Sequence, residues 1–149
     1  MLPEPTHEDY MRMALKEALR AYDADEVPIG AVIVADGRII ARGYNLTERL
    51  TDPTAHAEMQ AITAGTEFLG GKYLRDCTLY VTIEPCPMCA GALYWSQITR
   101  IVYGAKDEKR GYSTISSKLL HPKTEVIGGI LAEECGSLMS EFLKNCGRI

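Results

Sequence analysis

The sequence predicts an α/β chain, a three-layer α/β/α sandwich around a mixed five-stranded sheet, and three observations carry that prediction. Segments of helical period alternate with short strand-like runs. A hairpin signal near the start demands one antiparallel pair within an otherwise alternating order. The 149 residues, 46% of them hydrophobic, suffice for one ordinary core without disulfide support. Residues 1–149 are expected to form a single domain, since no internal repeat, low-complexity tract or linker-like composition shift divides them.

The elements follow in order. Thr6 to Asp9 reads as a capping box, and Met11, Ala14, Leu15, Ala18 and Tyr22 continue at helical spacing, predicting an amphipathic helix that ends near Asp25. From Ile29 the chain turns apolar; Asp36-Gly37 then separates two strand runs, 29–35 and 38–44, as a two-residue hairpin turn. After a loop over 45–53, Thr54 is placed to cap a helix running to about Leu69, with His56 and Glu58 in its first turn. Residues 79–83 form a short buried strand. Pro85 and Pro87 mark a turn into a helix over 88–95, with Cys86 and Cys89 at its start. Residues 101–103 and 125–127 supply the last two strands, and Leu131, Cys135, Leu138, Met139 and Phe142 space a closing helix. The segment 105–124 is irregular and too long for an ordinary connection, which marks it as functional.

Composition excludes several classes. Lys and Arg number 16 against 20 Asp and Glu, so the net charge of −4 provides no global field for nucleic acid. No apolar run approaches the roughly 18–20 residues of a membrane span, and Met1-Leu2-Pro3-Glu4-Pro5 lacks the basic start of a secretory signal, so a cytoplasmic protein with no membrane association is expected. The five cysteines are odd in number and two form a C-x-x-C, which fits metal binding in a reducing compartment. Cys77 and Cys135 are expected in the core, with Cys146 a further thiol.

The chemistry concentrates at two helix starts. A catalytic zinc takes three protein ligands and leaves a fourth position for water, whereas a structural zinc is closed by four. His56, Cys86 and Cys89 make three, and the positive ends of both helices favour thiolate over thiol. Glu58 is the candidate proton shuttle, taking a proton from water and returning it to a ring nitrogen and then to departing ammonia. A zinc protease would place a second histidine one helical turn after the first, and none follows here. His56 and Glu58 diverge by roughly 200° on a helix, so they flank one site only because both lie at its tip. His-x-Glu followed by Pro-Cys-x-x-Cys is the zinc deaminase pattern. A structural clip would instead need a fourth donor such as Cys77 or His121.

Four stretches carry a family resemblance: Glu26 to Val32 (EVPIGAV), Asp52 to Met59 (DPTAHAEM), Thr78 to Ala92 (TLYVTIEPCPMCAGA) and Val102 to Gly111 (VYGAKDEKRG). Through them the chain, from about Tyr10 to Phe142, resembles the bacterial tRNA-specific adenosine deaminases of the cytidine deaminase superfamily. The resemblance implies a cytidine deaminase-like fold, one zinc ion per subunit, a homodimer, and hydrolysis of the wobble adenosine of an arginine tRNA to inosine. It also implies that Asn45 contacts the base and that Val27, Pro28 and Ile29 line its pocket. Ala57, Glu84, Pro85, Asp107, Lys109 and Phe142 complete the implied substrate-binding set. Read from the residues alone, Asn45 is equally a turn residue and 27–29 the start of a core strand.

Segment 100–123 holds six basic residues against Asp107 and Glu108, a local charge of +4 while the remainder carries −8. Such a loop suits the phosphates of an anticodon loop, where a base is already unpaired, although a solvated surface would look the same. Tyr94 and Trp95 suggest either a partner contact or core packing, and the resemblance favours a dimer face. The chain departs from its relatives at Tyr112, in the stretch 113–123, at Leu143, and in a basic C-terminus thinned to Lys144 and Arg148. The alternative activity is deamination of a free base or nucleoside, guanine or cytosine/cytidine, on the same metal constellation.

Overall fold

The computed structural model describes residues 3–145; Cys146 and Arg148 lie outside them. Helix α1 (His7–Asp23) starts at the expected capping box, with the Thr6 side chain accepting from the Asp9 N–H and the Asp9 carboxylate accepting from the Thr6 N–H. It is followed by β1 (Gly30–Ala35), β2 (Arg38–Tyr44), α2 (Ala57–Leu69), β3 (Cys77–Ile83), α3 (Pro87–Ser96), β4 (Arg100–Ala105), β5 (Glu125–Ile127) and α4 (Ala132–Asn145). The hairpin turn is the one the sequence calls for. Asp36 and Gly37 take φ of 54° and 73°, the paired left-handed conformation whose twist matches the flanking strands.

The strands lie in the order β2-β1-β3-β4-β5, antiparallel across the first two junctions and parallel across the last two. Helices cover both faces. Ala57, Ala61, Ala90 and Leu93 of α2 and α3 pack with Ala31, Ile33, Leu79, Val81 and Ile101 on one side. Met11 and Ala14 of α1 and Cys135 of α4 pack with Val32, Val34, Tyr80 and Val102 on the other. The alternation of inward residues along β1 and β3 therefore feeds two cores, one on each side of the sheet. Cys77 and Cys135 are buried as expected.

Three features differ from the sequence reading. Thr54 does not cap α2; its N–H and hydroxyl both donate to Asp52 Oδ1 in a tight turn, and His56 is the N-cap, so the helix begins at Ala57. A local Asp-Thr bond within the turn outcompetes capping. Leu131 precedes α4 in a left-handed conformation (φ 56°) and does not belong to it. The segment 105–124 is not structureless: it contains 3-10 turns at Tyr112–Thr114 and Ser117–Leu119, and Tyr112 and Leu120 are buried in the α2/α3 core. Among the described residues no helix is long and apolar enough to cross a membrane.

Register places one end of the sheet as the site. Gly30 pairs with Tyr44 and Ala31 with Val81, so residues 27–29, Asn45 and residues 82–84 meet at the start of β1 and the ends of β2 and β3. This is the carboxyl end of the parallel strands, where open α/β sheets bind ligands. Gly43 lets α2 lie close against β2, since a Cβ there would collide with the Ala57 carbonyl oxygen and the Ala61 nitrogen. The Gly43→Ala variant is expected to lose about 2 kcal/mol or more of stability, because the obstacle is backbone and cannot rotate away; thermal unfolding of the zinc-loaded protein measures it.

Candidate metal centre and active site

Helices α2 and α3 begin with the same device. His56 and Cys86 are their N-cap residues, both extended (φ −73° and −72°), and neither side chain makes a capping hydrogen bond. A Ser, Thr or Asp at that position would bend back onto the helix amides. Here both side chains are left to point at each other, and Cys89 joins them from the first turn of α3. His56 Nδ1 stands 3.6 Å from Cys86 Sγ and 3.5 Å from Cys89 Sγ.

Those distances match a shared metal ion. Zinc bonds of about 2.3 Å to sulfur and 2.0–2.1 Å to nitrogen, set at a tetrahedral angle, separate the two donor atoms by about 3.6 Å. All three ligand atoms fall within 4.8 Å of one another, and no fourth His, Cys, Asp or Glu joins the cluster among the described residues. Neither Cys77 nor His121 is part of it. Three donors and an open corner are the arrangement of a catalytic zinc and not of a closed structural one.

Hydrogen bonds and burial set the proton affinities of the same groups. The Cys86 thiol is pulled down to about 4 by the hydrogen bond from Cys89, with His56 assisting. Cys89 is pushed far upward by the same bond and by burial, and His56 upward by its bond to Cys86. Glu58, only 3% exposed, has its carboxyl raised to about 7 by burial, which suits a group that gives and takes a proton near neutrality. Its carboxyl hydrogen-bonds with Cys89 and feels the charges of Cys86 and His56, so it stands against the ligand cluster.

The remaining expected residues fall into four places. Asn45 and residues 27–29 come together: Asn45 is buried, its N–H donates to the Ile29 carbonyl (3.2 Å), and its Oδ1 accepts from the Thr47 N–H (3.3 Å). Ala57 is fully buried beside His56, and the Pro85 carbonyl accepts from the Tyr112 N–H (2.8 Å). Asp107 organises a turn through its Oδ1, which accepts from the N–H groups of Lys109 (3.1 Å) and Arg110 (2.9 Å), while the Lys109 side chain is exposed. Glu84 is buried and directed into that same loop. Phe142 is buried at an edge contact with Tyr22, on the opposite face of the sheet from the ligands. Tyr94 and Trp95 divide: Tyr94 packs on His121, whereas Trp95 is 77% exposed.

Glu26 escapes a reading based on motifs. It is 1% exposed, and its two carboxylate oxygens accept from the N–H groups of Glu48 (2.9 Å) and Arg49 (2.8 Å), bracing the loop that leaves Asn45. In the sequence Glu26 heads the EVPIGAV stretch as an acid directly ahead of an apolar run, and nothing local marks its bracing role. Two open grooves of about 590 and 530 Å³ flank this loop, but the residues lining them include no metal ligand, so donor chemistry and not cavity size locates the centre.

A profile for the "cytidine and deoxycytidylate deaminase zinc-binding region" matches residues 4–105. The tRNA-specific adenosine deaminase of Bacillus subtilis is 47% identical over 91% of this chain and 87% of its own length. A solved tRNA:A34 deaminase, which edits adenosine to inosine at the wobble position, superposes with a TM-score of 0.80 at 43% identity, covering 87% of this chain and 97% of its own. A guanine deaminase from Nitrosomonas europaea gives a TM-score of 0.82 at 26% identity, over 95% and 86%. A zinc-binding deaminase is thus the class that fold and ligands define. The chain belongs to the cytidine and deoxycytidylate deaminase family and, within it, to the tRNA-specific adenosine deaminases.

Because Cys89 and His56 are both biased toward their protonated forms by their bonds to Cys86, zinc binding must displace these protons. Zinc binding at pH 7 is expected to release about one to two protons per ion, with affinity falling as pH falls; calorimetry in buffers of different ionisation enthalpy reads the number.

Proposed function

We propose that this chain hydrolyses the wobble adenosine of a tRNA anticodon loop, that of an arginine tRNA, to inosine and ammonia. The observation that carries the reading is the three-ligand cluster with Glu58 buried beside it, its carboxyl hydrogen-bonded with Cys89. When bound, zinc supplies the Lewis acidity that makes water a nucleophile near neutral pH. Glu58 accepts the proton that the attacking water gives up at C6 and delivers it to N1 of the adenine. It then takes the second proton from the new C6 hydroxyl and carries it to the exocyclic nitrogen, which leaves as ammonia as the C6–N bond breaks and the C6 carbonyl forms. Its near-neutral carboxyl serves both directions of transfer.

Asn45, Val27, Pro28 and Ile29 hold the extruded base, with Ala57 and Pro85 at the metal side of the pocket. Burial of Asn45 and its bond from Thr47 support that role, since a fixed amide reads a base edge without a further ordering cost. Lys106, Lys109 and Arg110 meet the flanking phosphates. All three are exposed, and none takes part in an ion pair among the described residues. The chain acts as one domain and as a homodimer in the cytoplasm; an indole as exposed as Trp95 at the end of α3 supports a partner there.

The likeness to a guanine deaminase favours one alternative, a free-base substrate. Zinc-loaded protein incubated in parallel with an arginine tRNA anticodon stem-loop, guanine and cytidine is expected to yield inosine in the RNA; ammonia from a free base without inosine would replace the tRNA reading. Glu58→Ala should keep zinc and lower kcat by at least about 10³-fold, and loss of zinc would make Glu58 a ligand. Sedimentation at micromolar concentration is expected to show a dimer that Trp95→Glu weakens.

A further inference from the structure

We infer that Glu84 and Gly111 form a clasp that pre-organises the basic loop for RNA, making Glu84 a positioning residue and not a contact to the substrate; this rests on the tRNA reading above. Glu84 is 3% exposed and has no ion pair among the described residues. A buried carboxylate is tolerable only when its oxygens are satisfied. Oε1 accepts from the Asp107 N–H (3.2 Å), and Oε2 accepts from the Ser113 N–H (3.0 Å) and hydroxyl (2.7 Å). The acid therefore grips both ends of the 107–113 turn.

Gly111 closes the turn over it, and any Cβ there would collide with the Glu84 carboxyl group. Inside the turn, Asp107 fixes the backbone N–H groups of Lys109 and Arg110, and the Gly111 N–H donates to the Asp107 carbonyl (3.0 Å). The two cations are held out to solvent on a fixed backbone. Ordering this turn before RNA arrives removes part of the entropy cost of binding. Glu84 lies two residues before the ligand Cys86, and its own N–H donates to the Ala105 carbonyl (2.8 Å), so the loop is indexed to the metal centre.

Glutamine cannot replace this acid. It offers one oxygen and one NH2, and the NH2 would face an N–H donor on one side of the clasp. The test uses zinc-loaded wild type, Glu84→Gln, Gly111→Ala and, as a mild variant certain to keep the backbone, Ser113→Ala. It reads anticodon stem-loop affinity at several salt concentrations, KM and kcat on the same RNA, and hydrogen exchange of the Asp107 and Ser113 amides. Glu84→Gln and Gly111→Ala are expected to weaken RNA binding about tenfold, with a smaller loss for Ser113→Ala. The slope of log affinity against log salt should flatten by about 1–2 as Lys109 and Arg110 lose register. KM should rise by more than kcat falls, and both amides should exchange faster. Unchanged affinity and salt slope in Glu84→Gln and Gly111→Ala, or a loss confined to kcat, overturns the proposal. Wild type that neither binds nor edits the stem-loop overturns the tRNA reading itself, an outcome visible before any variant is compared.

Discussion

Two helix N-termini converge on one point, and the rest of the site is arranged around that convergence. His56 ends the loop into α2 and Cys86 ends the loop into α3, each at the residue where the chain is extended but the helix has begun. An N-cap side chain normally satisfies its own helix. Giving that position to a metal ligand forgoes the cap and leaves the amides as a partial positive charge beneath two thiolates. The helices are in turn held by the sheet, α2 through the close approach at Gly43 and α3 through the core around Ala90 and Leu93. Displacing either helix by an ångström would spoil donor separations that fit a tetrahedral ion to within about 0.1 Å.

The walls of the site rest on buried carboxylates in the same way. Glu26 braces the loop after Asn45 with two backbone N–H groups, and Glu84 braces the basic loop with two N–H groups and a hydroxyl. Neither acid takes part in an ion pair among the described residues, so backbone N–H groups, joined at Glu84 by the Ser113 hydroxyl, satisfy its oxygens. This arrangement has a structural reason. A loop held by side chains alone moves with their rotamers, whereas a loop whose amides converge on one rigid acceptor holds its backbone. The proposed recognition of an extruded base and of its flanking phosphates would use that constancy on both sides of the ligand cluster.

Charge explains how an acidic protein serves a polyanionic substrate. The net charge is −4, yet the 100–123 segment concentrates six cations, of which, among the described residues, only Arg100 is in an ion pair, with Glu125. Field strength at a contact surface depends on charges within about a Debye length, roughly 8–10 Å, so the distant acids matter little. Glu58 works in the opposite regime, where exclusion of water and not a neighbouring charge sets its proton affinity.

Sequence alone determined the reaction chemistry and most of the fold. His56, Glu58, Cys86 and Cys89 were legible because ligand type and spacing are local properties, and a capping box, a left-handed Asp-Gly turn and helical period are set by residues a few positions apart. The family stretches gave the substrate class for the same reason, being short runs read in order. The start of α2 lies two residues beyond the expected one because an Asp52–Thr54 turn bond, equally local, competes with capping and nothing in the sequence ranks the two. The roles of Glu26, Glu84 and Gly111 were beyond reach for a different reason. Each depends on backbone groups 22 to 29 residues away meeting one carboxylate, or on the space left for a missing Cβ, and only the register of the sheet and the packing of the loops on its carboxyl end bring those groups together.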